Sequence, residues 1–171
     1  MNTPDGETKS PVVRSLPTRI IAIDYGLARL GVAISDERKI IACPMTTVTA
    51  DRKSESTAIK LIQELNQHAA LHRYSIEAIV IGLPLLMSGK KGFFADETLH
   101  FIECLRKQTA TPIITWDERL TSVQAEKSLR EGNLSRKKRA KRVDSVAAII
   151  ILQNYLDSLV SQANNPLVTK E

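Results

Sequence analysis

Aromatic side chains are scarce in this chain: three Phe, three Tyr and one Trp among 171 residues. So few rings are poor material for a base-stacking platform, which argues against sequence-selective reading of single strands by stacking. Cysteine is scarcer still. Cys43 and Cys104 offer no metal-ligand spacing and read as reduced, buried thiols. No uninterrupted apolar run approaches the roughly 18 residues that span a bilayer. Residues 1–17 are polar and lack the apolar stretch of a secretion signal. A membrane protein and a disulfide-stapled secreted module are thereby set aside, and the cytoplasm is the expected compartment.

Hydrophobic residues make up 43% and charged residues 25%, the balance of one soluble globular domain. The net charge of +5 is concentrated in one place, Arg136-Lys137-Lys138-Arg139-Ala140-Lys141-Arg142. Without that run the chain is nearly neutral. Such local basicity suits a docking surface for a polyanion.

The chain is organised around Ile20-Ile21-Ala22-Ile23-Asp24-Tyr25-Gly26. Its apolar residues read as a buried strand that ends in a carboxylate and a glycine. An ionised Asp at the tip of a core strand is costly unless a cation meets it. Residues 1–18 have little periodicity and are expected to form a disordered lead-in. Strands are expected at 19–25, 30–35 and 40–48, joined by connections short enough for an antiparallel meander. Pro44 would bulge the third at a sheet edge. A helix over 54–72, a strand over 77–82, a helix over 95–107 and a strand over 111–116 follow. Thr121 then caps a helix that Gly132-Asn133 ends. The last helix is expected over 143–159, apolar nearly all round and therefore deeply packed, with a polar tail over 161–171.

Strands reached through helices run parallel to the first. The result is a mixed five-stranded sheet flanked by helices, a ribonuclease H-like α/β domain over 19–160. Ligands of such sheets gather at the carboxyl ends of the parallel strands. Asp24, Gly82-Leu83-Pro84 and Asp117-Glu118 all fall there. Asp144 joins them, sharing one face of the last helix with Ala148, Ile151 and Tyr155.

Clustered carboxylates stay ionised together only when cations hold them. Mg²⁺ or Mn²⁺ suits oxygen ligands, and a pair of such ions can drive phosphodiester cleavage. Asp24, Glu118 or Asp117, and Asp144 are the candidate catalytic acids and metal ligands. Because strand side chains alternate, only one of Asp117 and Glu118 can face Asp24. Glu118 is the working choice of ligand, with Asp117 behind it. Phosphates on either side of a cut would be held by Arg136, Lys137, Lys138, Arg139, Lys141 and Arg142, with Arg29, Lys90, Lys91 and Arg119 extending the surface. His68 and His72 lack the Glu that the zinc-protease pattern needs, since Ala69 follows His68. They are expected to pack at the edge of a helix stripe.

The segments IIAIDYGLARLGVAIS, IVIGLPLLMSGKKG, WDERLTS and SRKKRAKRVDSVAA together resemble the YqgF family from about residue 19 to 157. The resemblance implies a ribonuclease H-like, metal-dependent endonuclease that matures the 5′ end of pre-16S ribosomal RNA. A Holliday junction resolvase is the alternative. The family's motif acids fall on Asp24, Asp117-Glu118 and Asp144. Ala28 stands where the family usually carries Lys, and Leu86 and Ser88 stand where it carries Asn and Asp or Asn, so the grip on substrate is expected to differ. The implied partner is nucleic acid, structured RNA before branched DNA, with a ribosomal precursor particle as its setting and a monomer or weak dimer as the acting form. A resolvase needs two sites and so a stable dimer. A binding factor without turnover would have lost an acid, and none is lost. The sugar-kinase fold, which also opens on Asp-x-Gly, needs two such domains.

Overall fold

The structure, a computed structural model, describes residues 15–120 except 87, 89 and 91, and residues 136–164; at 120, 136–145 and 164 it describes the backbone alone. The Ile-rich strand β1 (Thr18–Tyr25) is the middle of a five-stranded sheet. β2 (Arg29–Ser35) pairs antiparallel with β1, and β3 (Ala42–Thr49) antiparallel with β2. Helix α1 (Ser54–His72) leads to β4 (Ser75–Leu83), parallel to β1, and α2 (Phe93–Arg106) leads to β5 (Ile113–Asp117), parallel to β4. A 3-10 turn, Glu118–Leu120, follows β5, and α3 (Arg136–Asn164) is the last described element. The sheet order is β3-β2-β1-β4-β5.

The expected succession holds across the described residues, and the helix over 54–72 has the bounds read from sequence. The helix expected from Thr121 to Gly132-Asn133 lies outside the described residues. So do most of both expected tails. Pro44 does sit beside an irregularity: Gly31 pairs with Thr47 and Ala33 with Pro44, so β3 carries an extra residue there. Being an edge strand, β3 tolerates a residue that cannot donate.

Three expectations are corrected. The basic run is not a connection ahead of the last helix but its first two turns, since α3 starts at Arg136. Arg, Lys and Ala are good helix formers and no Gly or Pro interrupts them. Second, α3 is not buried all round. Ala148, Ile151, Leu152 and Leu156 are buried on one side, while Ile149 and Ile150 are only partly covered and Val160 is exposed. A helix lying on one sheet has only one face to bury. Over 146–163 it is long and apolar enough to cross a membrane by composition, but its buried stripe packs on the sheet. Third, Cys43 is exposed while Cys104 is buried. Cys43 lies on the edge strand.

Strand alternation splits the core in two. On one face Ile21, Ile23, Leu30, Val32, Ile79 and Ile81 meet Leu61 and Leu65 of α1 and Phe101, Ile102 and Leu105 of α2. Replacing one such isoleucine or leucine by Ala would cost about 2–5 kcal/mol. On the other face Ile20, Ala22, Ala33 and Val80 meet the buried stripe of α3. Ala22 and Ala33 lie opposite each other in register. Two methyls in place of bulky side chains leave a shallow trough for α3.

Candidate active site

The same alternation assigns the acids. Along β1, Ile20 and Ala22 face α3, and the next residue on that side is Asp24. Along β4, Val80 faces α3 and is followed on that side by Gly82. Along β5, Ile114 and Trp116 pack toward α3, and Glu118 comes next. Three adjacent parallel strands therefore deliver Asp24, Gly82 and Glu118 to one face at their carboxyl ends. Ile113 packs on the opposite face, so Thr115 and Asp117 belong there.

Gly82 is the seat of Glu118. A Cβ on Gly82 would stand 2.5 Å from Glu118 Oε1 and 2.5 Å from Ile151 Cδ1 of α3. The carboxylate thus occupies the space of the missing side chain. Burial there, then the charge of Asp24, then that of Asp117, push the Glu118 carboxyl up to about 7. Gly26 shapes the other rim: a Cβ on it would stand 2.6 Å from the Arg29 carbonyl oxygen, so the turn from β1 to β2 needs glycine.

Asp117 is engaged elsewhere. It accepts hydrogen bonds from Arg119 Nε at 3.0 and 3.1 Å, from Arg119 Nη2 at 2.6 Å and from the Arg119 backbone N–H at 3.0 Å. These bonds hold its carboxyl below the usual range. The bidentate fork fixes the direction of the Arg119 guanidinium at the rim.

Arg29 and Lys90 are exposed at the same end of the sheet. Lys91 lies outside the described residues. Of Arg136, Lys137, Lys138, Arg139, Lys141, Arg142 and Asp144 the backbone alone is described, as continuous helix. Helical spacing places Asp144 on the stripe of Ala148 and Ile151, the latter bordering Gly82 and Glu118. His68 and His72 are at the end of α1, their rings 4.1 Å apart, with His68 Nδ1 2.9 Å from Tyr74 Oη. His68 is half-buried against Tyr74, as expected of a residue packed at the stripe's edge, while His72 is exposed.

Among the described residues, no group of three or more His, Cys, Asp or Glu is gathered for a metal. Asp24 and Glu118 form a pair. Their all-oxygen character suits a hard divalent cation, and the Glu118 carboxyl is raised first by its burial and then by the neighbouring charge of Asp24. Sequence reasoning missed Gly82 as a seat and found in it only a strand end. The signal that could have shown it is a glycine closing an otherwise β-branched buried run, Ile79-Val80-Ile81.

A family model described as RuvX: Holliday junction resolvase matches residues 18–158. A protein of Protochlamydia amoebophila named "Putative pre-16S rRNA nuclease" is 58% identical over 142 residues, covering 83% of this chain and 95% of its own. A protein of the same name from Clostridium acetobutylicum is 44% identical over 141 residues, covering 82% and 99%. Among solved structures, Thermus thermophilus RuvC in complex with Holliday junction substrate superposes with a TM-score of 0.54 at 10% identity, over 84% of this chain and 96% of that one. At that identity the likeness is one of fold, and the fold is ribonuclease H-like.

Proposed function

Because the chain belongs to the RuvX family, we propose that it is a phosphodiester endonuclease whose reacting centre is the Asp24–Glu118 pair, and that its substrate is the 5′ region of pre-16S ribosomal RNA in the cytoplasm. The observation that carries this reading is the convergence of two carboxylates on one sheet edge, one of them pushed up to about 7 by burial and by the other's charge. Carboxyls raised by burial and a neighbouring charge cluster at functional sites.

Asp24, Glu118 and, by its place on α3, Asp144 would hold Mg²⁺ or Mn²⁺, which when bound supplies charge neutralisation and water activation at the scissile phosphate. The chain's own residues do the rest. Gly82 and Ile151 fix the position of the Glu118 carboxylate from two sides. Asp117 aims Arg119 at a neighbouring phosphate. The first turns of α3 hold the backbone beyond the cut.

The test is cleavage of a labelled ribosomal RNA precursor and a four-way DNA junction side by side, each with Mg²⁺ and with Mn²⁺. Discrete cutting of the RNA supports the proposal; cutting of the junction alone replaces it with the second reading. That reading, branched DNA, is favoured by the family model's description and by the RuvC-like fold.

Two substitutions probe the seat and the fork. Gly82→Ala forces Glu118 and Ile151 to move, and both intruding atoms are side-chain ends, so the fold survives. A misplacement of about 1 Å is expected to lower single-turnover cleavage about 100-fold, with circular dichroism unchanged. Asp117→Asn releases the Arg119 fork. KM for substrate is expected to rise several-fold while kcat falls little. Equal losses in Asp117→Asn and Glu118→Gln would contradict the separation of the two acids onto opposite faces.

A further inference from the structure

The few aromatic side chains are not all spent on the core. Phe93 and Phe94 open α2 side by side, 65% and 62% exposed, their ring centroids 5.6 Å apart in an edge-to-face pair. Leu86, itself 52% exposed, reaches the same helix start, lying 3.5 Å from where a Gly92 Cβ would be. Lys90 is exposed in the loop between them. The height of this crest follows from the fold. Phe101 of α2 stacks on Tyr25, the last residue of β1, with ring centroids 4.6 Å apart. Phe94 and Phe93 precede Phe101 by seven and eight residues, so at 1.5 Å per residue they stand about 10–12 Å beyond that level. The chain enters α2 from the carboxyl end of β4, so they rise at the same end of the sheet as Asp24 and Glu118, from the helix layer opposite α3.

We propose that Phe93 and Phe94 are a stacking crest for unpaired bases of the nucleic-acid substrate flanking the cut; this rests on the nuclease reading of the site at the same end of the sheet. Three side chains are far from the roughly 800 Å² per partner that a stable protein interface needs. A cation in the loop that leads to exposed rings, at the sheet end that carries a carboxylate pair, matches a polyanion that carries π-faces. With no donors or acceptors on the rings, the crest selects unstacked bases over continuous duplex without choosing among bases. Two rings suffice for that, so their scarcity excludes sequence-selective stacking and still leaves room for stacking blind to sequence.

The test uses the full chain with Ca²⁺ replacing Mg²⁺. The probes are an RNA duplex bearing an unpaired tail with 2-aminopurine and the same duplex fully paired. Wild type is expected to quench the fluorophore. The double variant Phe93→Leu, Phe94→Leu, still apolar but without π-faces, is expected to lose the quench and to bind the tailed duplex about 10- to 100-fold more weakly. Its affinity for paired duplex should stay within twofold and its salt dependence should not change. Phe94→Trp in the Phe93→Leu background restores the quench. Unchanged quench and affinity in the double variant would overturn the proposal. So would equal losses on both probes, or a wild-type dimer in sedimentation that the variant abolishes, which would assign the crest to a second copy. Failure of the nuclease reading is distinguishable, because it appears as absent cleavage with Mg²⁺ in wild type while the quench remains readable.

Discussion

Glu118→Gln is expected to abolish cleavage and, in the metal-free protein at pH 8, to raise the melting temperature. The amide keeps the shape of the side chain in the seat over Gly82 but binds a cation poorly. Its effect on stability follows from the elevated carboxyl, which moves from 4.5 to about 7 on folding. Between those values the folded protein keeps a proton that the unfolded chain has lost, so stability falls as pH rises from about 4.5 to about 7 and stays low above. Gln carries no charge and escapes that loss. The full shift corresponds to about 3 kcal/mol, which solvent at this partly open site reduces to about 1–2 kcal/mol. For a chain of this size that is about 3–6 °C, vanishing near pH 4. Asp24→Asn should act in the same direction on both readouts, because it removes the second cause of the Glu118 shift. The double substitution should stabilise by less than the sum. Melting curves at pH 4, 6 and 8 with chelator, beside a single-turnover cleavage assay, make the check. A fully active Glu118→Gln enzyme would sink this account of the site.

Replacing Arg136, Lys137, Lys138 and Arg139 by Ala is expected to cost substrate affinity at every sequence while sparing the chemical step. Each phosphate neutralised by the run adds about 0.7 to 0.9 to the slope of log K against log [salt], through counterion release. The quadruple variant should flatten that slope in proportion to the phosphates it no longer neutralises. Because Ala is the best helix former, the start of α3 should survive the change. Single-turnover rates at saturating substrate should match wild type, since uniform binding has been removed and transition-state interactions have not. An unchanged slope would make the run a solvated helix surface. A collapsed rate at saturation would place one of these cations against the reacting phosphate.

Most of the frame is legible in the sequence because its signals are long and redundant. The apolar run before Asp24, the periodicity over 54–72 and the β-branched run before Gly82 each span several residues, and they agree on topology. The choice between Asp117 and Glu118 is not legible. It depends on which face Trp116 takes, and both Trp116 and Thr115 suit either face of a strand. The Gly82 seat is half visible, since a glycine closing a β-branched run announces a close approach without saying of what. The start of α3 is hidden because a dense charge run resembles a loop, although Arg and Lys favour helix. Cys43 misleads in a similar way: residue type predicts burial on average, and an edge strand overrides it.

The continuity of α3 makes it a ruler. The basic run and Asp144 lie on one uninterrupted helix. The backbone at Arg139 is therefore about 7.5 Å along the axis from that at Asp144, roughly two phosphates of one strand at about 3.4 Å each. A loop between grip and acid would let the two drift. On the proposed reading, a helix would set both the spacing and the phase at which a held backbone meets the carboxylates, so the distance from anchored phosphate to cut would be counted in residues. Inserting a single Ala after Arg142 would rotate the grip by about 100° about the axis and should shift or scatter the cut while leaving affinity nearly intact.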